Sequence, residues 1–147
     1  MKHFEWRDEY LVGIAVVDFQ HRRIFDCIIS ILSGPTDDDR LRPEAEVIKL
    51  LGLLHEHFTL EEDMMRTLGY PELEKHMEEH RRFNADVHDL AQRSLRRKSG
   101  VSREAISVLH KWLTEHIMGS DRDYAAFFSN PAHQSGNMKR SAKQPLA

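Results

Sequence analysis

Only one cysteine, Cys27, occurs in the 147 residues. A single thiol forms no disulfide within the chain and builds no cysteine-based zinc or iron–sulfur centre. Glycine and proline are scarce, at 7 and 5, which favours helices over strands joined by many tight turns. No apolar run approaches the roughly 20 residues of a membrane span. Basic residues do not outnumber acids: there are 21 against 24, and Lys139, Arg140 and Lys143 all fall in the last stretch, leaving an acidic body. Nucleic acid is therefore not an expected partner, nor is membrane insertion. The opening MKHFEWRDEY shows no apolar stretch after a basic start. A secretory leader is not expected, and the cytoplasm, where Cys27 stays reduced, is the expected compartment.

What is abundant is histidine, with ten in the chain. Hydrophobic residues at 40% and charged residues at 31% suit one soluble domain. A chain of this length buries about 68–70% of its unfolded surface without staples.

The periodicity predicts four helices. Residues 1–17 read as an extended arm carrying Phe4, Trp6 and Tyr10, interrupted by Gly13. Asp18 can cap a first helix with Ile24, Phe25, Ile28 and Ile31 at helical spacing. Ser33-Gly34-Pro35 ends it, and Thr36 to Asp39 read as loop. Pro43 can open a second helix, with the stripe Val47, Leu50, Leu54, His57, Glu61, Met64 and Leu68. Pro71 opens a third, with Leu73, His76, His80, Phe83, Val87, Leu90 and Ser94; Gly100 follows it as a cap. Ser102 caps a fourth, with Ala105, Leu109, Trp112 and His116. Steps alternating between three and four residues are the seam of an antiparallel bundle. The expected fold is all-α: an up-down-up-down antiparallel four-helix bundle with an extended N-terminal arm, over residues 1–130. Residues 131–147 read as a disordered polar tail.

Polar residues replace apolar ones on these seams. His57 and Glu61 lie one turn apart on one face, as do His76 and His80. His116 lies on the fourth seam, with Asp121 five residues on, and His21 lies near the start of the first. Each pair alone is no more than chance gives in a chain so rich in His and Glu. Their joint placement at one level of a bundle core is what carries weight. Five imidazoles and two carboxylates buried without partners cost several kcal/mol per charge, and metal cations relieve that cost. Imidazole with carboxylate suits iron, zinc, copper or nickel. Seven donors exceed the need of one ion and suit two. Two six-coordinate ions sharing both carboxylates and an oxygen bridge still have one position open. Ile24, Phe25, Phe58, Trp112, Leu113 and Ile117 are the apolar residues nearest these ligands, and a dry pocket favours holding O2 over cleaving it.

A five-residue step rotates about 500° on a regular helix, leaving His116 and Asp121 about 140° apart. Both reach one cluster only if the helix widens or breaks, so a π-bulge or break is predicted around Gly119. The remaining histidines, His3, His55, His88, His110 and His133, read as surface groups. Glu62 lies about 100° around the helix from Glu61 and reads as solvated or as a support for a ligand. Cys27 reads as an inert small hydrophobe.

Several stretches together carry a family resemblance: Val12-Gly13-Ile14 with Asp18-Phe19-Gln20-His21, His57-Phe58 with Glu61-Glu62 and Met65, Tyr70-Pro71 with His76 and His80, and Trp112-Leu113 with His116-Ile117 and Asp121. The chain resembles a single-domain bacterial hemerythrin over about residues 4–128. The resemblance implies a non-heme site of two iron ions bridged by Glu61, Asp121 and an oxo or hydroxo group. His76, His80 and His116 would hold the saturated iron, and His21 and His57 the iron with the open position. It implies reversible O2 binding, as a carrier, a store or a local supply. An O2 or NO sensor and a di-iron redox enzyme are the alternatives, with small anions as further ligands of the same site. No histidine has Glu three residues before it, which disfavours the carboxylate-rich enzymes that use Glu-x-x-His.

Overall fold

The structure is a computed structural model describing residues 4–34, 36–37, 40–41, 43–97 and 100–133. Four long helical rods account for most of it: α1 (Ala15–Ser33), α2 (Glu44–Leu68), α3 (Leu73–Arg97), and a fourth rod formed by α4 (Arg103–His116), a π turn (Ile117–Asp121) and α5 (Arg122–Ser129). Helical backbone angles run unbroken through both junctions of that rod. Short connections make successive rods antiparallel neighbours. α1 packs on α2 and α4, and α2 packs on α3, which closes the bundle in up-down-up-down order.

The apolar seams meet in the bundle, one residue off the expected stripes in places: Met65, Ile106 and Leu113 are fully buried where Met64, Ala105 and Trp112 were expected and are only half-buried. Ile24, Phe25, Ile28, Leu54, Val87, Ile106, Leu113 and Ile117 are fully buried in one continuous core. A smaller cluster of Met65, Tyr124 and Phe128 fills the far end, beyond the seam histidines. Gly69 ends α2 in the left-handed region at φ 69°, where only glycine is unstrained, and its N–H caps Arg66. Ser102 caps α4 by accepting from the Ala105 N–H at 3.2 Å.

Three local expectations are corrected. α1 begins at Ala15, ahead of Asp18, so Asp18 is not its cap. The Asp18 carboxylate instead accepts from the Val12 and Gly13 N–H groups at 2.8 and 3.1 Å, fixing the turn that leads the arm into the bundle. The arm is not wholly extended: Asp8–Tyr10 forms a 3-10 turn, which Arg122 holds through the Glu9 carbonyl. The segment read as loop after α1 contains a minimal antiparallel ladder, β1 (Thr36–Asp37) against β2 (Arg40–Leu41).

The arm is aromatic because it serves as a lid. Trp6 meets Phe25 edge-on at 5.2 Å, and Tyr10 lies 5.1 Å from the same ring. His110, expected at the surface, is buried between Phe4 and Phe25 at 4.8 and 5.2 Å. The folded-back arm covers it, and burial lowers its pKa. His55 and His88 are exposed. His133 is half-buried, stacked on Phe127 at 3.8 Å. His3 lies outside the described residues. The tail expected from residue 131 opens with a helical turn over 131–133, and the rest of it lies outside the described residues. Among the described residues no helix is long and apolar enough to cross a membrane.

Candidate metal centre

All four rods send polar side chains to one level of the core. α1 supplies His21, α2 His57 and Glu61, α3 His76 and His80, and the fourth rod His116 and Asp121. All seven are buried; His21, His57, Glu61 and Asp121 have no measurable exposure. The π turn over Ile117–Asp121 is the widening that the His116–Asp121 spacing demands. It adds a residue to one turn and brings both side chains to the same face, with Nε2 and Oδ1 3.0 Å apart.

The donor atoms form two overlapping groups. Glu61, His76, His80, His116 and Asp121 make one; His21, His57, Glu61 and Asp121 make the other. Within each group the atoms lie within 4.8 Å of one another. Glu61 and Asp121 belong to both. His57 Nε2 lies 3.3 Å from Glu61 Oε2, His80 Nε2 3.2 Å from the same oxygen, and His76 Nε2 3.1 Å from Asp121 Oδ1. His21 Nε2 lies 3.1 Å from Asp121 Oδ2.

These approaches are close but are not aligned hydrogen bonds. The Nε2 atoms of His21, His57 and His76, with Glu61 Oε2 and both Asp121 oxygens, are buried and have no hydrogen-bond partner among the described residues. Two donors about 2.1 Å from one ion at right angles stand about 3.0 Å apart, so the spacing suits a shared cation. The tautomers point the same way. His80 Nδ1 faces Glu62 at 2.9 Å, and His116 Nδ1 faces Glu79 at 2.7 Å. Each Nδ1 therefore carries the proton, and in the neutral rings the two Nε2 lone pairs face each other at 3.2 Å. That contact is repulsive unless a proton or a metal cation stands between them.

Electrostatics make the same demand. Glu61 and Asp121 are held ionised, well below the usual carboxylate range; burial opposes this, but the surrounding imidazoles prevail. Burial also opposes a proton on His76 and His116. The carboxylates outweigh it, raising His76 to about 9 and His116 to about 10. On His57 desolvation prevails over Glu61, and the pKa falls to about 4. The cluster thus recruits protons where it can, in the place of metal charge. The donor set fits first-row divalent ions.

Five residues outside the seam pattern support the candidate ligands. Gln20 Oε1 accepts from His57 Nδ1 at 2.9 Å. Glu62 and Glu79 face His80 and His116, and Ser120 Oγ donates to Glu79 at 2.7 Å. The Tyr124 hydroxyl donates to Glu61 Oε1. Glu62 was legible as a possible support; the others were not. Gln20, Glu79 and Ser120 each adjoin a candidate ligand in sequence, which was the only available signal.

The apolar residues assigned to a pocket divide in two. Ile24, Phe25, Leu113 and Ile117 are fully buried in the continuous apolar core. Phe58 stacks on His80 at 3.8 Å, and the half-buried Trp112 stacks on His116 at 4.7 Å, so these two rings brace imidazoles of the three-histidine group.

A four-helix bundle with a histidine–carboxylate cluster shared between two donor groups defines a class, the cation-binding helical bundles. The chain belongs to the hemerythrin family: residues 12–128 match the family model described as the hemerythrin HHE cation binding domain. A bacteriohemerythrin of Stenotrophomonas maltophilia (strain R551-3) is 32% identical over 122 residues, which is 82% of this chain and 78% of that protein. A myohemerythrin of Theromyzon tessulatum is 29% identical over 121 residues, 82% of this chain and 90% of that protein. A solved crystal structure of a point mutant superposes with a TM-score of 0.75 at 22% identity, over 88% of this chain and 100% of that one, and shows the same fold. The family is a non-heme di-iron family that binds O2.

Proposed function

We propose that this chain binds O2 reversibly as a carrier or store, not as an enzyme, with His21, His57, Glu61, His76, His80, His116 and Asp121 holding two iron ions. One observation carries the reading: seven buried donors fall into two groups that share two carboxylates. His76, His80 and His116 serve one ion, and His21 and His57 the other; Glu61 and Asp121 serve both. When bound, the iron pair supplies the electrons that hold O2. The chain's own residues do the rest. The poorer donor set of His21 and His57 leaves room for a small molecule, and NO or a small anion fits the same place. Ile24, Phe25, Leu113 and Ile117 wall that side with apolar surface, which excludes water and protons and favours release of O2 intact. Tyr124 fixes the orientation of Glu61. The proposed O2-binding unit is the bundle of residues 1–130. The single buried thiol, Cys27, suits a reducing cytoplasm.

The test is anaerobic reduction followed by air, read by absorption on protein of known iron content. Two irons per chain, a colour that develops with O2 and its loss under vacuum support the reading. Immediate irreversible oxidation of the same two irons refutes reversible binding and favours an enzyme or sensor.

A further inference from the structure

The two donor groups differ in what stands behind their imidazoles. In the three-histidine group, His80 Nδ1 is backed by the Glu62 carboxylate at 2.9 Å and His116 Nδ1 by the Glu79 carboxylate at 2.7 Å. Ser120 Oγ steadies Glu79 by donating to the same oxygen at 2.7 Å. In the two-histidine group no carboxylate among the described residues plays this part. His57 Nδ1 meets the neutral amide oxygen of Gln20 at 2.9 Å. His21 Nδ1 is buried and has no hydrogen-bond partner among the described residues.

An anion accepting from Nδ1–H draws that proton outward and raises the basicity of Nε2, the atom turned toward the cluster. Loss of such a partner typically costs 10–100-fold in metal affinity. A neutral amide orients the ring without adding charge, and an unpartnered ring gains neither.

We infer that Glu62 and Glu79 are positioning residues that make the two metal positions unequal, so that iron is held tightly by the three-histidine group and loosely by His21 and His57. The inference rests on the di-iron reading above. Its consequence is a defined one-iron state in which the place of O2 binding is lost first. The larger donor set alone also makes the positions unequal, so the charge effect is isolated by substitution. Glu79→Gln and Glu62→Gln keep an acceptor oxygen and remove the charge. Both side chains are partly exposed, at 30% and 22%, so the fold tolerates the change.

The experiment is iron release from the reduced, loaded full-length chain into a ferrous chelator, at concentrations where the rate no longer depends on the chelator. The parent releases its two irons in two phases. Glu79→Gln and Glu62→Gln each speed the slow phase by about 10–100-fold and leave the fast phase within about 2-fold. Gln20→Glu places a carboxylate behind His57 and slows the fast phase. Slow phases unchanged in both Gln variants overturn the inference, as does release of both irons in a single phase. Either result, with two irons per chain, leaves the di-iron reading standing. Fewer than two irons in the loaded parent overturns that reading and this inference together.

Discussion

Leu113→Ala tests the dry wall of the proposed O2 site. Leu113 is fully buried on α4, three residues before His116 and four before Ile117. The substitution removes three carbons. At about 0.8 kcal/mol each, transfer alone costs about 2.4 kcal/mol. Because α4 is clamped between α1 and the rest of the bundle, the void collapses only partly, which brings the loss into the range of about 2–5 kcal/mol. In a chain of this length 1 kcal/mol shifts Tm by about 3 °C, so Tm falls by about 6–15 °C. Ile106→Ala is the control: equally buried on the same helix, but two turns further from His116. Both variants lose comparable Tm by circular dichroism of the iron-loaded chain. Only Leu113→Ala shortens the lifetime of the oxygenated colour, because its void admits water and protons beside the cluster. A Tm within about 2 °C of the parent refutes the packing argument. Equal shortening in both variants refutes the placement of the wall, since the effect then follows stability alone.

His57→Ala removes one of two imidazoles from its donor group, so iron content falls toward one per chain and the colour change with O2 disappears; full retention of both counts against the ligand assignment. In the metal-free chain, His76 and His116 (raised to about 9 and about 10) contribute stability that is complete below 6.5 and lost as pH rises through those values. His57, lowered to about 4, contributes stability that is complete above 6.5 and lost as pH falls toward 4. These three groups together place the metal-free optimum near pH 6.5. Iron requires neutral imidazoles, so loading shifts the optimum upward and, at pH 8, releases protons from His76 and His116. Denaturant midpoints across pH, with calorimetry in buffers of different ionisation enthalpy, measure both effects; coincident profiles with and without iron contradict them. Gly52 lies exposed inside α2 with open space where a Cβ would stand, so Gly52→Ala gains about 0.5–1 kcal/mol, visible as a Tm rise of about 2–3 °C; a fall in Tm would show a contact the structure lacks.

Much of the chemistry follows from local spacing. The step of five between His116 and Asp121 called for a π-bulge or a break, because no regular helix brings both to one face, and the structure has a π turn there. The seam positions of His57, Glu61, His76 and His80 were readable because a helix repeats its buried face every three or four residues. The sequence by itself therefore determined the four rods and the buried placement of the seven polar seam residues, while the apolar stripes were legible only to within a residue, because neighbouring positions on a helix share part of the buried face. Only the tertiary structure decided which partner stands behind each imidazole. Gln20 reaches His57 across 37 positions, Glu79 reaches His116 across 37, and Tyr124 reaches Glu61 across 63. The burial of His110 likewise depends on the arm folding back over Phe25. The physical reason is the same in each case. Hydrophobic periodicity records which face of one helix avoids water, whereas these contacts depend on how separate helices are rotated and how close they pack.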